Sequence, residues 1–175
     1  MSSHGSVVEV PTRQGPFAIL ADDEGVLASG WGDDEATLLA HVHPRLRPQV
    51  VTRVDAGAAT GALAAAVAAV RAYDDGTDLG AVARVPVHTQ ASAFRQAAWK
   101  AMREIPVGGY VSYAELAERA GRPNAARAAG GACAKNPTPL FVPCHRVLRA
   151  NGELGGFAYG VPLKQQLLDA EAGKA

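Results

Sequence analysis

Only two cysteines, Cys133 and Cys144, occur in 175 residues. That is too few for a disulfide framework, so each has to be explained by packing or by chemistry. No uninterrupted apolar stretch approaches the ~20 residues that a membrane span requires. The most apolar one, Ala62 to Val70, is mostly alanine. The opening MSSHGSVVEVPTRQG lacks the basic flank and apolar run of a secretory signal. A soluble, cytoplasmic protein with reduced thiols is therefore expected. Hydrophobic residues at 48% and charged residues at 19% argue against extensive disorder, and the length suffices to bury a core.

Net charge is also lacking, since 17 Lys and Arg balance 17 Asp and Glu. The balance conceals two opposite halves. Residues 1–83 hold five basic against eleven acidic side chains, a net of −6, and residues 84–175 hold twelve against six, a net of +6. Such asymmetry points to a polyanion as partner of the C-terminal half.

The first half opens with strand-like runs at Val7–Val10, Phe17–Ala21 and Val26–Ser29, separated by Gln14-Gly15-Pro16 and Asp23-Glu24-Gly25. These predict a small antiparallel meander. Asp33 or Asp34 can cap a helix over Glu35–Val42, and the alanine-rich Ala58–Tyr73 has helical periodicity up to Asp75-Gly76. An α/β scaffold over 1–83 is expected, including part of a linker from Gly76 to Thr89. In the second half Ser92 caps a helix carrying Phe94, Ala97, Ala98, Ala101 and Met102. A helix over Tyr113–Ala120 and a third starting after Pro123, through Asn124, make a helix-turn-helix. The expected C-terminal domain, 84–175, is mainly α and winged-helix-like. From Ala125 to Ala134 only Arg127 and Cys133 are neither Ala nor Gly; small side chains permit close approach, either to nucleic acid or to the domain's own core.

The chemistry concentrates in Pro139-Leu140-Phe141-Val142-Pro143-Cys144-His145-Arg146-Val147-Leu148. A free cysteine is ordinarily a small core hydrophobe. Here an adjacent imidazole and guanidinium supply a base and positive potential, the two influences that assist thiolate formation. His145 can act through a bridging water if a carboxylate fixes its tautomer, and Glu153, Asp169 and Glu171 are candidates. A metal site fits poorly, because Cys133, Cys144 and His145 lack paired-ligand spacing. A cysteine hydrolase using His88 or His41 as a distant base remains open.

The pentapeptide Pro143–Val147 resembles the signature of the O6-alkylguanine-DNA alkyltransferases, or methylated-DNA-protein-cysteine methyltransferases. Phe94-Arg95-Gln96-Ala97-Ala98-Trp99-Lys100, Ile105-Pro106 with Gly108, Val111-Ser112-Tyr113, Ala125-Ala126-Arg127-Ala128 and Asn136-Pro137 follow that family's order and spacing over about residues 90 to 171. The resemblance implies that Cys144 accepts an alkyl group from O6-alkylguanine, or O4-alkylthymine, in double-stranded DNA, once and irreversibly. It implies that His145 relays the thiol proton, that Glu171 orients the imidazole and that Tyr113 helps turn out the nucleotide and hydrogen-bonds the base. It also implies Arg127 as the finger filling the vacated place from the minor groove, Ala126 and Gly130 as DNA contacts, and Asn136 as a hinge. Val147, Phe157 and Tyr159 are implied as substrate pocket. A monomer without cofactor is expected.

Gly109-Tyr110 and Ala98 depart from the family pattern at places that look structural. Some relatives bind zinc in the N-terminal domain, but residues 1–83 contain no cysteine, so no structural metal is expected and His4, His41 and His43 are read as surface residues. A binding-only protein is the main rival from another class; alkyltransferase-like binders have lost the cysteine that is intact here. The large ring of Tyr159 would narrow the pocket, so the free base O6-benzylguanine is expected to react poorly relative to methylated DNA. Rapid labelling of Cys144 by the benzylated base would refute this.

Overall fold

The computed structural model describes residues 3–174. The chain divides into two compact units: residues up to Gln90 together with Pro137–Phe141, and Ala91–Asn136 together with the chain from Val142 onward. The boundary expected after residue 83 falls inside the first unit, within the 3-10 turn Ala81–Arg84.

In the first unit, β1 (His4–Thr12), β2 (Gly15–Ala21) and β3 (Val26–Trp31) form the expected antiparallel meander. The sheet is nevertheless mixed. A fourth strand, β4 (Val50–Arg53), pairs in parallel with β1, giving the order β3-β2-β1-β4. Its mostly exposed Val-Val-Thr-Arg shows no alternation that would mark it as a strand. Helix α1 (Glu35–His41) starts at Asp34, whose carboxylate accepts from the Thr37 amide at 2.8 Å. Its Leu38, with the following Val42, packs on Val7, Ala18, Leu20 and Ala28. Alternate strand residues face opposite sides, and Phe17 to Ala21 are all buried because the sheet is covered on both. Helix α2 (Gly61–Asp74) also packs on β1 and β2 through a stripe that includes Leu63, Val67 and Val70.

Strand β3 is a sheet edge, and two irregular segments cover it. At one end Val26 bridges Val87, and a side chain on Gly25 would meet the Pro86 carbonyl at 2.6 Å, so only glycine admits that approach. Further along, the Ser29 amide donates to Pro137 O at 3.0 Å and its hydroxyl to Pro139 O at 2.8 Å. Phe141 packs on Phe17 at 6.2 Å between ring centroids. Between them Leu140 holds φ at 76°, a left-handed conformation costing a branched residue on the order of 1–3 kcal/mol.

The second unit is mainly helical, as expected. Helix α3 (Ala93–Arg103) is capped by Ser92, and α4 (Tyr113–Arg119) by Ser112, which accepts from the Glu115 amide at 3.1 Å. Helix α5 runs from Ala126 to Ala134. Asn124, expected within it, instead takes φ of 66° in the preceding turn, a conformation its short polar side chain tolerates. Helices α3, α4 and α5 pack on one another, and Trp99 Nε1 donates to Ala132 O at 2.9 Å. Strands β5 (Val111–Ser112) and β6 (Val147–Leu148) pair in parallel. Helix α6 (Val161–Glu171) carries a proline in its first turn.

Candidate functional site: a buried thiol beside a carboxylate-anchored imidazole

Cys144 opens a 3-10 turn, Cys144–Arg146, directly after a tight inverse γ-turn. Pro143, at φ −81° and ψ 68°, lets the Cys144 amide donate back to Val142 O at 2.8 Å. The same carbonyl accepts from Asn136 Nδ2 at 2.8 Å. The Asn136 side chain also bonds the thiol. Residues 137–141 thus leave and return through a neck closed by one side-chain amide.

His145 is wholly buried, and its Nε2 lies 2.6 Å from Glu171 Oε1 at the end of α6. Arg146 grips the same carboxylate from Nε at 2.8 Å and from Nη2 at 2.9 Å, and donates from Nη1 to Ile105 O at 2.8 Å. Burial alone would raise the Glu171 pKa, but the donors of His145 and Arg146 outweigh it and bring the carboxyl to about 2. Burial pushes His145 down against the opposing pull of Glu171. The imidazole is therefore neutral, and the ionised carboxylate, held by the permanent charge of Arg146, selects the tautomer that donates from Nε2. Nδ1 is left with a lone pair, buried and without a hydrogen-bond partner. Burial raises the Cys144 pKa, opposed by the Asn136 hydrogen bond and the charge of Lys164, so the thiol rests protonated.

Of the three carboxylates considered, Glu171 alone meets His145. Glu153 pairs with Arg149 at 3.6 Å on the surface, and Asp169 accepts from Gln165 at 2.8 Å. His88 belongs to the first unit, where Asp22 holds it at 2.7 Å, and His41 is exposed.

Tyr113 starts α4 half-buried, and burial, then Cys133 and Cys144, raise its pKa. Its hydroxyl sits so near Gly155 that a side chain there would come within 2.9 Å, at a backbone φ of 70°. Gly130 lies on α5 beside the Tyr113 ring, at 3.9 Å from a notional Cβ, while Ala126 and Arg127 at the start of α5 are exposed. Phe157 and Tyr159 meet edge to face at 5.8 Å. The Val147 side chain, in contrast, is fully buried within β6.

Sequence reasoning missed two cations. Arg146 read only as positive potential, although it is the partner that keeps Glu171 ionised. Lys164 is 1% exposed, with Nζ donating to the carbonyls of Val147 at 2.8 Å, Leu154 at 2.5 Å and Gly156 at 3.3 Å. Among the described residues no group of three or more His, Cys, Asp or Glu is arranged to hold a metal ion. No helix of the described residues is long and apolar enough to cross a membrane.

Residues 93–173 match the family described as 6-O-methylguanine DNA methyltransferase, DNA binding domain. The methylated-DNA–protein-cysteine methyltransferase of Shigella flexneri is 34% identical over 164 residues, which cover 93% of this chain and 93% of that protein. The chain belongs to this methyltransferase family. The bifunctional transcriptional activator/DNA repair enzyme Ada of Escherichia coli is 36% identical over 90% of the chain, although the match spans only 43% of Ada. Among solved structures of the family, Mycobacterium tuberculosis OGT in complex with DNA superposes with a TM-score of 0.77 at 29% identity, covering 97% of this chain and 94% of that one.

The depressed Glu171 pKa links stability to pH. An ordinary carboxyl near 4.5 brought to about 2 contributes stability above pH 4.5 that is lost as pH falls through 2, on the order of 3 kcal/mol. Glu171→Gln leaves Arg146 buried without its counter-charge and is expected to lose about 3–5 kcal/mol at neutral pH. Urea unfolding across pH should show a steeper acid loss in the wild type than in the variant; parallel pH curves would contradict the assignment.

Proposed function

We propose that this protein repairs DNA by direct reversal, transferring the alkyl group of O6-alkylguanine, and of O4-alkylthymine, to Cys144 in a single irreversible event. The observation that carries this reading is neutral His145, with Nε2 held by Glu171 and Nδ1 unpartnered, directly following the protonated thiol of Cys144 in the chain. A buried thiol next to a base aimed by a third group is the arrangement of an activated nucleophile.

In the proposed reaction, Nδ1 takes the thiol proton through a bridging water as sulfur attacks the alkyl carbon. An S–C bond forms, the C–O6 bond breaks, and its electron pair leaves on the guanine. The Tyr113 hydroxyl donates to the base as charge develops there. The proton lost by sulfur is returned to the guanine, so thiol plus alkylguanine becomes thioether plus guanine. The thioether does not hydrolyse, and the acceptor is consumed. No metal or organic cofactor enters.

Double-stranded DNA is the proposed partner, read through backbone and minor groove by α5, whose Ala126, Arg127 and Gly130 offer one long side chain and a close approach. Arg127 fills the place of the extruded nucleotide, Asn136 serves as hinge, and Phe157 and Tyr159 border the base pocket. The net +6 of residues 84–175 supports largely sequence-independent, salt-sensitive binding. A monomer acting in the cytoplasm suits this role.

Two experiments test the reading. After incubation with duplex DNA containing O6-methylguanine, peptide mass spectrometry should find one methyl on Cys144; a methyl on Cys133, or none, overturns the assignment. Arg127→Ala should slow repair of duplex DNA at least about tenfold more than reaction with a free alkylated base, because only the duplex requires extrusion. Equal losses on both substrates would remove Arg127 from that role.

A further inference from the structure

The five residues Pro137–Phe141 belong to the first unit, whereas Asn136 and Val142 on either side belong to the second. A short excursion immediately before the nucleophile is thus anchored in the N-terminal half of the chain. Its neck is closed by the hydrogen bond from Asn136 Nδ2 to Val142 O. Its outer part is held by Ser29, which is fully buried on edge strand β3 and donates from its amide to Pro137 O and from its hydroxyl to Pro139 O. Prolines 137 and 139 have no N–H to extend the ladder, so the carbonyls are the groups through which this stretch can be held in register.

Directly after the second of those carbonyls stands Leu140, in a left-handed conformation that a leucine does not adopt unless its surroundings impose it. On one side of it Phe141 is seated against Phe17. On the other the Ser29 hydroxyl holds the Pro139 carbonyl. From Leu140 the chain runs through Phe141 and Val142 into the γ-turn at Pro143, directly before Cys144.

We infer that Ser29 is a positioning residue for the acceptor: its hydroxyl, by holding Pro139 O, locks Leu140 left-handed and so fixes the orientation of the Cys144 thiol. The inference rests on Cys144 being the acceptor, and it assigns to the otherwise motif-free N-terminal half a specific part in reactivity. The bonds from Ser29 to Pro137 O and Pro139 O end on backbone carbonyls, so the role assigned to it runs through the chain.

The test compares Ser29→Thr with Ser29→Val, which have the same shape, suit a strand, and differ only in the hydroxyl. Ser29→Ala serves as a third variant. Cys144 methylation per folded molecule is followed as a function of pH, once with methyl iodide and once with O6-methylguanine duplex, by peptide mass spectrometry. The Thr variant should react like wild type. The Val and Ala variants should slow by roughly fivefold with both reagents, the scale of one lost buried hydrogen bond, with the pH midpoint of Cys144 methylation displaced. Because rates are normalised to folded protein, a stability loss alone leaves them unchanged. Val and Thr variants with identical rates and midpoints would overturn the proposal, as would a Val variant impaired with DNA but not with methyl iodide. Failure of wild type to be methylated by the duplex would instead refute the repair reading, while the methyl iodide arm still decides the role of Ser29.

Discussion

The carboxylate of Glu171 is taken out of water and receives hydrogen bonds from His145 and, through two nitrogens, from Arg146. A buried carboxylate is costly unless its partners are both close and well aimed, and the planar fork of arginine meets two oxygens at once. That charge-paired anchor joins the C-terminal end of α6 to the turn bearing Cys144, and through Nη1 of Arg146 to Ile105, just beyond the end of α3. The placement of the imidazole, its tautomer and the freedom of Nδ1 all follow from it. A neutral residue in place of Arg146 would leave Glu171 free to take up a proton, and the imidazole would lose the acceptor that defines its donor side.

Lys164 plays the complementary part on the other side of the turn. Its ammonium is satisfied by main-chain oxygens alone, and burial lowers its pKa. Three carbonyls from β6 and the loop of residues 154–156 are thereby gathered on one cation. The loop carries Gly155, whose missing side chain leaves room for the Tyr113 hydroxyl. Two buried cations, one paired with a carboxylate and one with carbonyls, thus fix the turn of Cys144 and the neighbouring loop.

How far this could be read in the sequence depended on whether the signal was local. The strands of the meander, the caps at Asp34 and Ser92 and the helix-turn-helix rest on short-range patterns and were legible. Strand β4 was not, because its side chains are largely exposed and its pairing with β1 bridges more than forty residues of chain. Asn124 looked helical by composition, yet it occupies the turn. The cluster Cys144-His145 was visible as adjacent letters. Glu171 was chosen among three carboxylates only through family resemblance, since its partners lie 26 and 25 residues away. Lys164 and Ser29 had no signal at all. Their partners are backbone carbonyls, which every residue possesses, and for Ser29 the separation is 110 residues.

The burial of Cys144, at 8% exposure with its proton retained, has a consequence for the lifetime of a protein that the proposed reaction would consume. A thiol standing permanently as thiolate would be spent on oxidants and stray electrophiles, whose attack scales with thiolate character and access. A buried, protonated sulfur presents little of either. The idle molecule is therefore chemically quiet, and its shelf life is set by geometry rather than by the intrinsic reactivity of sulfur.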